Sequence, residues 1–264
     1  MSRLSKRKNE YLSGNIVSQT KEIDLHIHTS FSDSRSSLED VVWAIKRKGL
    51  RIAAVTDHFS EFQILPKRMN KGELQGYLEA LERFPVIKGV EVDIFGDGTV
   101  SISKKNARLF NIVVGGLHML NERGFWHDSR PIWNPEKFVE DVRIALVKSM
   151  ESRLIDVIAH ITWLPDAIRA ESDNLITDDW TKSVVQSASD YGVAIELSGA
   201  WNVPNEKFVK ECLRQGVKLS IGSDAHDASK VGEVAYAVEM LKSLDVANDL
   251  IYLPKRIGLK STVF

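Results

Sequence analysis

Seven apolar runs of strand length, each followed by a segment of helical period, constrain this chain more than any other feature. They lie near Ile23–Ile27, Arg51–Val55, Val86–Val92, Leu109–Gly115, Leu154–Ala159, Val193–Leu197 and Val217–Ile221. Parallel strands need a crossover long enough to hold a helix, so this alternation predicts βα units around a mainly parallel sheet. The helical segments carry their own punctuation. Leu38, Val41, Val42 and Ile45 form a stripe between Ser37, a side chain suited to capping a helix start, and Gly49, suited to ending one. Leu74, Tyr77, Leu78 and Leu81 repeat the pattern, and Phe138, Val142 and Leu146 follow Asn134-Pro135, with proline at the tolerated first position. Trp180, Val184, Ala188 and Tyr191 follow Thr177, with Asp178 and Asp179 in the first turn and Gly192 at the end. Phe208 with Cys212, and Val231, Val234, Val238 and Leu241, mark the last two stripes.

At 264 residues and 43% hydrophobic content, one compact domain can bury a large core, and a barrel of about 250 residues is an ordinary size. Residues 1–20 read as a flexible basic tail carrying Arg3, Lys6, Arg7 and Lys8, and residues 21–264 as a single barrel domain. Lys and Arg total 35 against 36 Asp and Glu, a formal net charge of −1. Such a balance supplies no global field to attract nucleic acid or an anionic membrane, so any anion must be held locally. Neither a secretory h-region nor a membrane-spanning stretch is visible, and the single cysteine, Cys212, cannot form an intrachain disulfide. The expectation is a soluble cytoplasmic protein, with its oligomeric state left open.

The chemistry-bearing side chains fall at one end of the expected strands. His26 and His28 close the first, His58 follows the second, Glu91 ends the third, His118 follows the fourth, His160 the fifth, and Asp224 with His226 the seventh. Asp33 comes from the first loop on the same side. Side chains alternate faces along a strand, so His26 and His28 point the same way and can offer two nitrogens to one cation. In a parallel barrel the C-terminal strand ends converge on one mouth, the place where barrel enzymes keep their chemistry. Six imidazoles and three carboxylates gathered there without cations would leave uncompensated buried charge. Mixed nitrogen and oxygen donors suit zinc, manganese or iron more than magnesium or calcium. Nine donors exceed the needs of one ion, so two or three divalent ions are expected. Ions sharing ligands can acidify a bridging water to hydroxide and neutralise phosphoryl oxygens, which points to hydrolysis at phosphorus. Asp57, beside His58, is expected to orient a ligand through a hydrogen bond, and Glu196, ending the sixth strand, to support the rim in the same way. Two long connections, Phe59–Lys71 and Met119–Asn134, have the length of functional loops. The second holds Arg123, Trp126, His127, Arg130 and Trp133, cations and aromatics able either to fold over an anionic substrate or to pack on the rim.

With His26-Ile27-His28, Asp33, Thr56-Asp57-His58, Glu91, His118, His160 and Asp224-Ala225-His226 in order, the chain resembles the PHP (polymerase and histidinol phosphatase) family. The resemblance runs from about Glu22 to the last helix. It implies a distorted (β/α)7 TIM-like barrel, a trinuclear cluster, and metal-dependent hydrolysis of a small phosphomonoester. By that likeness His26, His28, Glu91 and Asp224 would bind one ion, Glu91, His118 and His160 a second, and Asp33, His58 and His226 a third. Glu91, His118 and His160 would then carry the catalysis, and Arg123, His127 and Arg130 are the expected substrate contacts. Several histidinol-phosphatase-like members place a histidine where this chain has Asp33, so histidinol phosphate is one candidate among small phosphate esters. Three other readings stay open: a nucleic-acid or nucleotide phosphodiesterase or exonuclease, against which the near-neutral charge weighs; a metal-dependent amidohydrolase; and a non-catalytic interaction domain, which would be expected to have lost ligands.

Overall fold

Every residue of β1 (Ile23–Ile27) is buried, polar Asp24 and His26 included, which is the mark of a parallel strand covered on both faces. The computed structural model describes residues 20–62 and 66–254, so residues 1–19 of the expected basic tail lie outside the described residues, while Thr20 is buried in a short turn that leads into β1. After β1 come β2 (Ile52–Val55), β3 (His58–Phe59), β4 (Ile87–Asp93), β5 (Ile112–Gly116), the hairpin β6 (Met119–Leu120) and β7 (Arg123–Gly124), then β8 (Val157–Ile158), β9 (Ala194–Ser198) and β10 (Leu219–Gly222). The sheet runs β1-β2-β4-β5-β8-β9-β10, all pairs parallel. β3 continues β2 along β4, pairing His58 with Glu91.

The sheet closes at a single seam. Ile27 bridges Ala225 in parallel, the Asp224 amide donates to the His26 carbonyl (2.9 Å), and the His28 amide donates to the Ala225 carbonyl (2.9 Å). The other end of β10 is met by Ile251, which bridges Leu219. The result is a parallel barrel with the seven strands that the alternation of runs predicts, of the distorted kind that the family resemblance implies.

Helices wrap the outside where the caps direct them. In α1 (Leu38–Arg47), Ser37 and Asp40 complete a reciprocal capping box, and Gly49 lies at φ 67°. α2 (Leu74–Glu82) buries Leu74, Tyr77, Leu78 and Leu81. The Tyr77 hydroxyl lies 3.0 Å from the Gly89 carbonyl and 3.2 Å from the Val55 carbonyl, and it accepts from the Asp57 amide. One buried phenol thus ties a helix to two strands. The short α3 (Lys104–Ala107) precedes β5, and Asn134 caps α4 (Pro135–Glu151). After α5 (Ser172–Leu175), Thr177 caps α6 (Asp178–Tyr191), which Gly192 ends at φ 69°. Asn205 caps α7 (Glu206–Arg214), where Phe208 and Cys212 are buried, and α8 (Ala235–Ser243) closes the series.

Three sequence expectations shift. The fourth strand begins at Ile112, and Leu109 sits 44% exposed in the turn before it. The fifth shrinks to Val157–Ile158, because Arg153 takes φ 56° and turns the chain at Leu154. Val231 and Val234 are buried but precede α8, since Gly232 at φ 74° interrupts the helical run. An apolar stripe reports burial, and it continued here through a turn.

Candidate metal centre

The nine expected donors meet at the C-terminal mouth around Glu91, which is 1% exposed near the end of β4. Its Oε2 lies 3.2 Å from His26 Nε2, 3.4 Å from His28 Nε2 and 2.9 Å from His58 Nδ1. Its Oε1 lies 3.2 Å from His118 Nε2 and 3.4 Å from His160 Nε2. Asp224 Oδ1 stands 3.2 Å from His28 Nε2 and 3.5 Å from His26 Nε2. On the far side His226 Nε2 and His58 Nε2 face Asp33, at 3.2 and 3.7 Å. Among the described residues three groups are compact enough to hold a cation: His28, Asp33, His58 and His226; His26, His28 and Glu91; and His58, Glu91 and His118. His28 therefore belongs to two of them, where the family likeness gives it to one ion.

Several donors are already oriented. His26 Nδ1 lies 2.6 Å from Glu196 Oε1, His118 Nδ1 2.8 Å from Asp93 Oδ1, and His226 Nδ1 3.0 Å from the Asp224 carbonyl. An oxygen acceptor there draws the ring proton to Nδ1 and turns the Nε2 lone pair toward the cluster, the arrangement typical of ligating imidazoles. Glu196 also accepts from the His160 amide (2.9 Å), so one carboxylate holds His26 and the backbone at His160 together. Asp57 behaves differently from expectation. It accepts from the Thr29 amide, the Thr29 hydroxyl and the Ser32 hydroxyl, each at 2.7 Å. It therefore fixes the loop that carries Asp33, and the His58 ring is not its partner.

This donor set fits divalent cations. Both Glu91 oxygens, His28 Nδ1 and His58 Nδ1 are buried without a hydrogen-bond partner; the 2.9 Å approach of His58 to Glu91 is too poorly aligned to count as one. A buried carboxylate lacking donors costs several kcal/mol unless positive charge compensates it. The electrostatics say the same. Burial opposes an imidazolium at His26 and at His118, yet the surrounding carboxylates outweigh it, lifting His118 to about 9 and His26 well above the ordinary histidine value. Burial and the neighbouring His226 and His58 press His28 down to about 3, leaving it a neutral ligand. Burial works against ionised Glu91, but His58, His26 and His118 hold it well below the usual carboxylate range.

The backbone is shaped to this cluster. His160 at φ 35° and Asp224 at φ 54° are non-glycine residues in the left-handed region, a strain of about 1–3 kcal/mol each that persists where the surroundings demand it. A Cβ on Gly116 would stand 2.4 Å from Glu91 Oε1 and from His118 Cε1. Only glycine lets those two side chains come together there.

The chain's family can be decided on this geometry together with its sequence. The PHP domain model matches residues 24–200, which hold seven of the nine donors. This chain belongs to the PHP family. A protein named Probable phosphatase Teth514_1060, from Thermoanaerobacter sp. (strain X514), is 24% identical over 239 residues, 87% of this chain and 89% of that protein. Probable phosphatase YcdX of Escherichia coli (strain K12) is 23% identical over 233 residues, 84% of this chain and 86% of its own. Among solved structures, the histidinol phosphate phosphatase of Lactococcus lactis subsp. lactis Il1403, crystallised with zinc, L-histidinol and phosphate, superposes with a TM-score of 0.64. It is 15% identical and covers 86% of this chain and 95% of that one. This likeness carries the fold: a PHP barrel.

The loop expected to touch substrate is occupied with itself. Arg130 binds Asp128 and the Glu122 carbonyl, while Arg123 binds the Pro131 carbonyl and faces Asp128 at 3.7 Å. His127 is exposed, its amide donating to Asp166. A different arginine reaches the PHP centre. Arg68, its side chain 13% exposed, binds both oxygens of Asp93 (3.2 and 3.3 Å), and Glu91 and Asp33 help to raise its pKa against the effect of burial. Asp93 and Gly116 were within reach of the sequence: Asp93 lies two residues past Glu91 on β4 and so shares its strand face, and Gly116 ends β5 two residues before His118. Arg68 lies in a long loop, where no periodicity signals it.

Proposed function

We propose that this protein is a metal-dependent phosphoesterase that hydrolyses a small phosphomonoester to the alcohol and phosphate, using two or three divalent zinc, manganese or iron ions. The observation that carries the reading is Glu91: a buried carboxylate with one oxygen turned to His118 and His160, the other to His26, His28 and His58, and no hydrogen bond to either. On this reading Glu91, His26, His28 and Asp224 would hold one ion, Glu91, His118 and His160 a second, and Asp33, His58 and His226 a third. When bound, the ions supply Lewis acidity to the phosphoryl oxygens and lower the pKa of water held between them.

The chain's own residues prepare the site. Glu196, Asp93 and the Asp224 carbonyl keep protons on the Nδ1 atoms of His26, His118 and His226, so their Nε2 atoms stay available. Arg68, joined to His118 through Asp93, is the guanidinium we assign to the substrate phosphate. Arg123, His127 and Arg130 would first have to give up their present partners. The relatives named as phosphatases support a phosphate ester as substrate, and the phosphate and L-histidinol of the Lactococcus enzyme make histidinol phosphate one candidate.

The test is phosphate release from p-nitrophenyl phosphate and histidinol phosphate with added manganese or zinc. Activity should disappear with a chelator, return with metal, and be lost in Glu91→Ala and His118→Ala. Unchanged turnover in both variants would end the reading, as would ion-loaded protein that releases no phosphate from a broad panel of monoesters.

A further inference from the structure

Three tryptophans stand beside the cluster on loops that follow three successive barrel strands: Trp126 in the loop after β5, Trp163 after β8 and Trp201 after β9. The Trp126 ring lies 5.6 Å from the His118 ring and 5.2 Å from the His160 ring, between centroids. Trp201 Nε1 donates to Asp224 Oδ2 at 2.6 Å. The indoles also meet one another, with Trp163 4.5 Å from Trp201, and Trp126 5.4 Å from Trp201 and 6.4 Å from Trp163. Arg169 locks the group from behind. Its guanidinium lies 3.7 Å from the Trp163 ring centre and donates to the Leu164 and Phe125 carbonyls, both at 2.9 Å.

Packing alone leaves one feature of this wall unexplained. Trp163 and Trp126 are half-buried residues, yet the Nε1 atoms of both are buried and have no acceptor. Buried indole N–H groups normally find one. We infer that the Trp126–Trp163–Trp201 wall is the subsite for the substrate's leaving group, and that it takes a fused, purine-sized heteroaromatic ring with acceptor atoms in its plane. The inference rests on the phosphoesterase reading, since the wall touches that centre at His118, His160 and Asp224. Ring stacking uses the indole faces, and in-plane nitrogens or carbonyls answer the unpartnered N–H donors. An ammonium leaving group fits poorly: it brings donors where donors are already in surplus, and Arg169 already supplies a cation to Trp163. A single small ring would cover little of a surface built from three indoles.

Two measurements test it. Adenosine, titrated into the protein without substrate, should quench tryptophan fluorescence, whereas glycerol and choline should not. The ratio of kcat/KM for adenosine monophosphate over glycerol 3-phosphate should exceed about 10, as base stacking on aromatic side chains commonly provides. In Trp163→Leu that ratio should fall about tenfold and the quenching should weaken, while Trp163→Phe, which keeps a ring face but loses the Nε1 donor, should restore the ratio only in part. A ratio near unity in the native protein, a preference for choline phosphate or histidinol phosphate, or a ratio indifferent to Trp163→Leu would each overturn the inference. Adenosine quenching without phosphate release from any ester would uphold the ring subsite and remove the phosphoesterase reading instead.

Discussion

His118 and Arg123 are five residues apart, yet they show two different ways for a side chain to acquire partners. His118 follows β5, its Nδ1 held by Asp93 and its Nε2 facing Glu91. Arg123 lies in the hairpin just beyond, where it answers to Pro131 and Asp128 of its own loop. A strand end inherits its direction from the barrel, because the parallel ladder fixes where every Cβ points. Arg123 finds its contacts within its own loop, so its charge is no guide to what it touches.

The largest effect should come from the residue on which the whole rim converges. Glu91→Ala removes the carboxylate facing five imidazoles, and losing about 4 kcal/mol of metal-borne stabilisation corresponds to roughly a thousandfold in kcat/KM. Elemental analysis should show ion content falling alongside the rate. If the variant retains near-native turnover, strand-end convergence is not the basis of function. Gly116→Ala adds one methyl group 2.4 Å from Glu91 and His118, and we expect it to lower both metal content and rate by about a hundredfold, given how strongly site geometry governs rate. Native-like metal uptake by that variant would show the two side chains free to retreat.

Asp93→Asn sharpens the comparison, because it keeps the shape and removes the charge that orients His118. Metal affinity should drop by about 10- to 100-fold, measured by competition with a chromogenic chelator. No change in affinity would mean that His118 is directed by its strand position alone. The smallest effect is expected in the hairpin. Arg123→Ala and Arg130→Ala should leave kcat/KM close to native, since both arginines are engaged within their loop, and a large rise in KM would reassign the phosphate contact to them.

The sequence made the barrel readable because two periodicities and several caps agree. β1 occupies the expected Ile23–Ile27, and Ser37, Asn134 and Thr177 each cap the helix anticipated after them. The meeting of those nine side chains was legible because strand ends in a parallel barrel share one mouth. Asp93 was missed although it lies on the Glu91 face, since a carboxylate that orients a ligand looks in sequence like any other acidic residue. Arg68 and Trp201 could not have been assigned. Each depends on where a loop returns, and no local pattern encodes that.

The seam at Ile27 and Ala225 couples site assembly to protein synthesis. Asp224 and His226 emerge from the ribosome almost two hundred residues after His26 and His28, and the same backbone bonds that close the barrel bring them together. A nascent chain that still lacks its last strand has the early imidazoles but not the carboxylate that completes their cage. The segment through His226 must therefore be synthesised before this polypeptide can assemble the complete set of side chains, which delays the site until the barrel can shut.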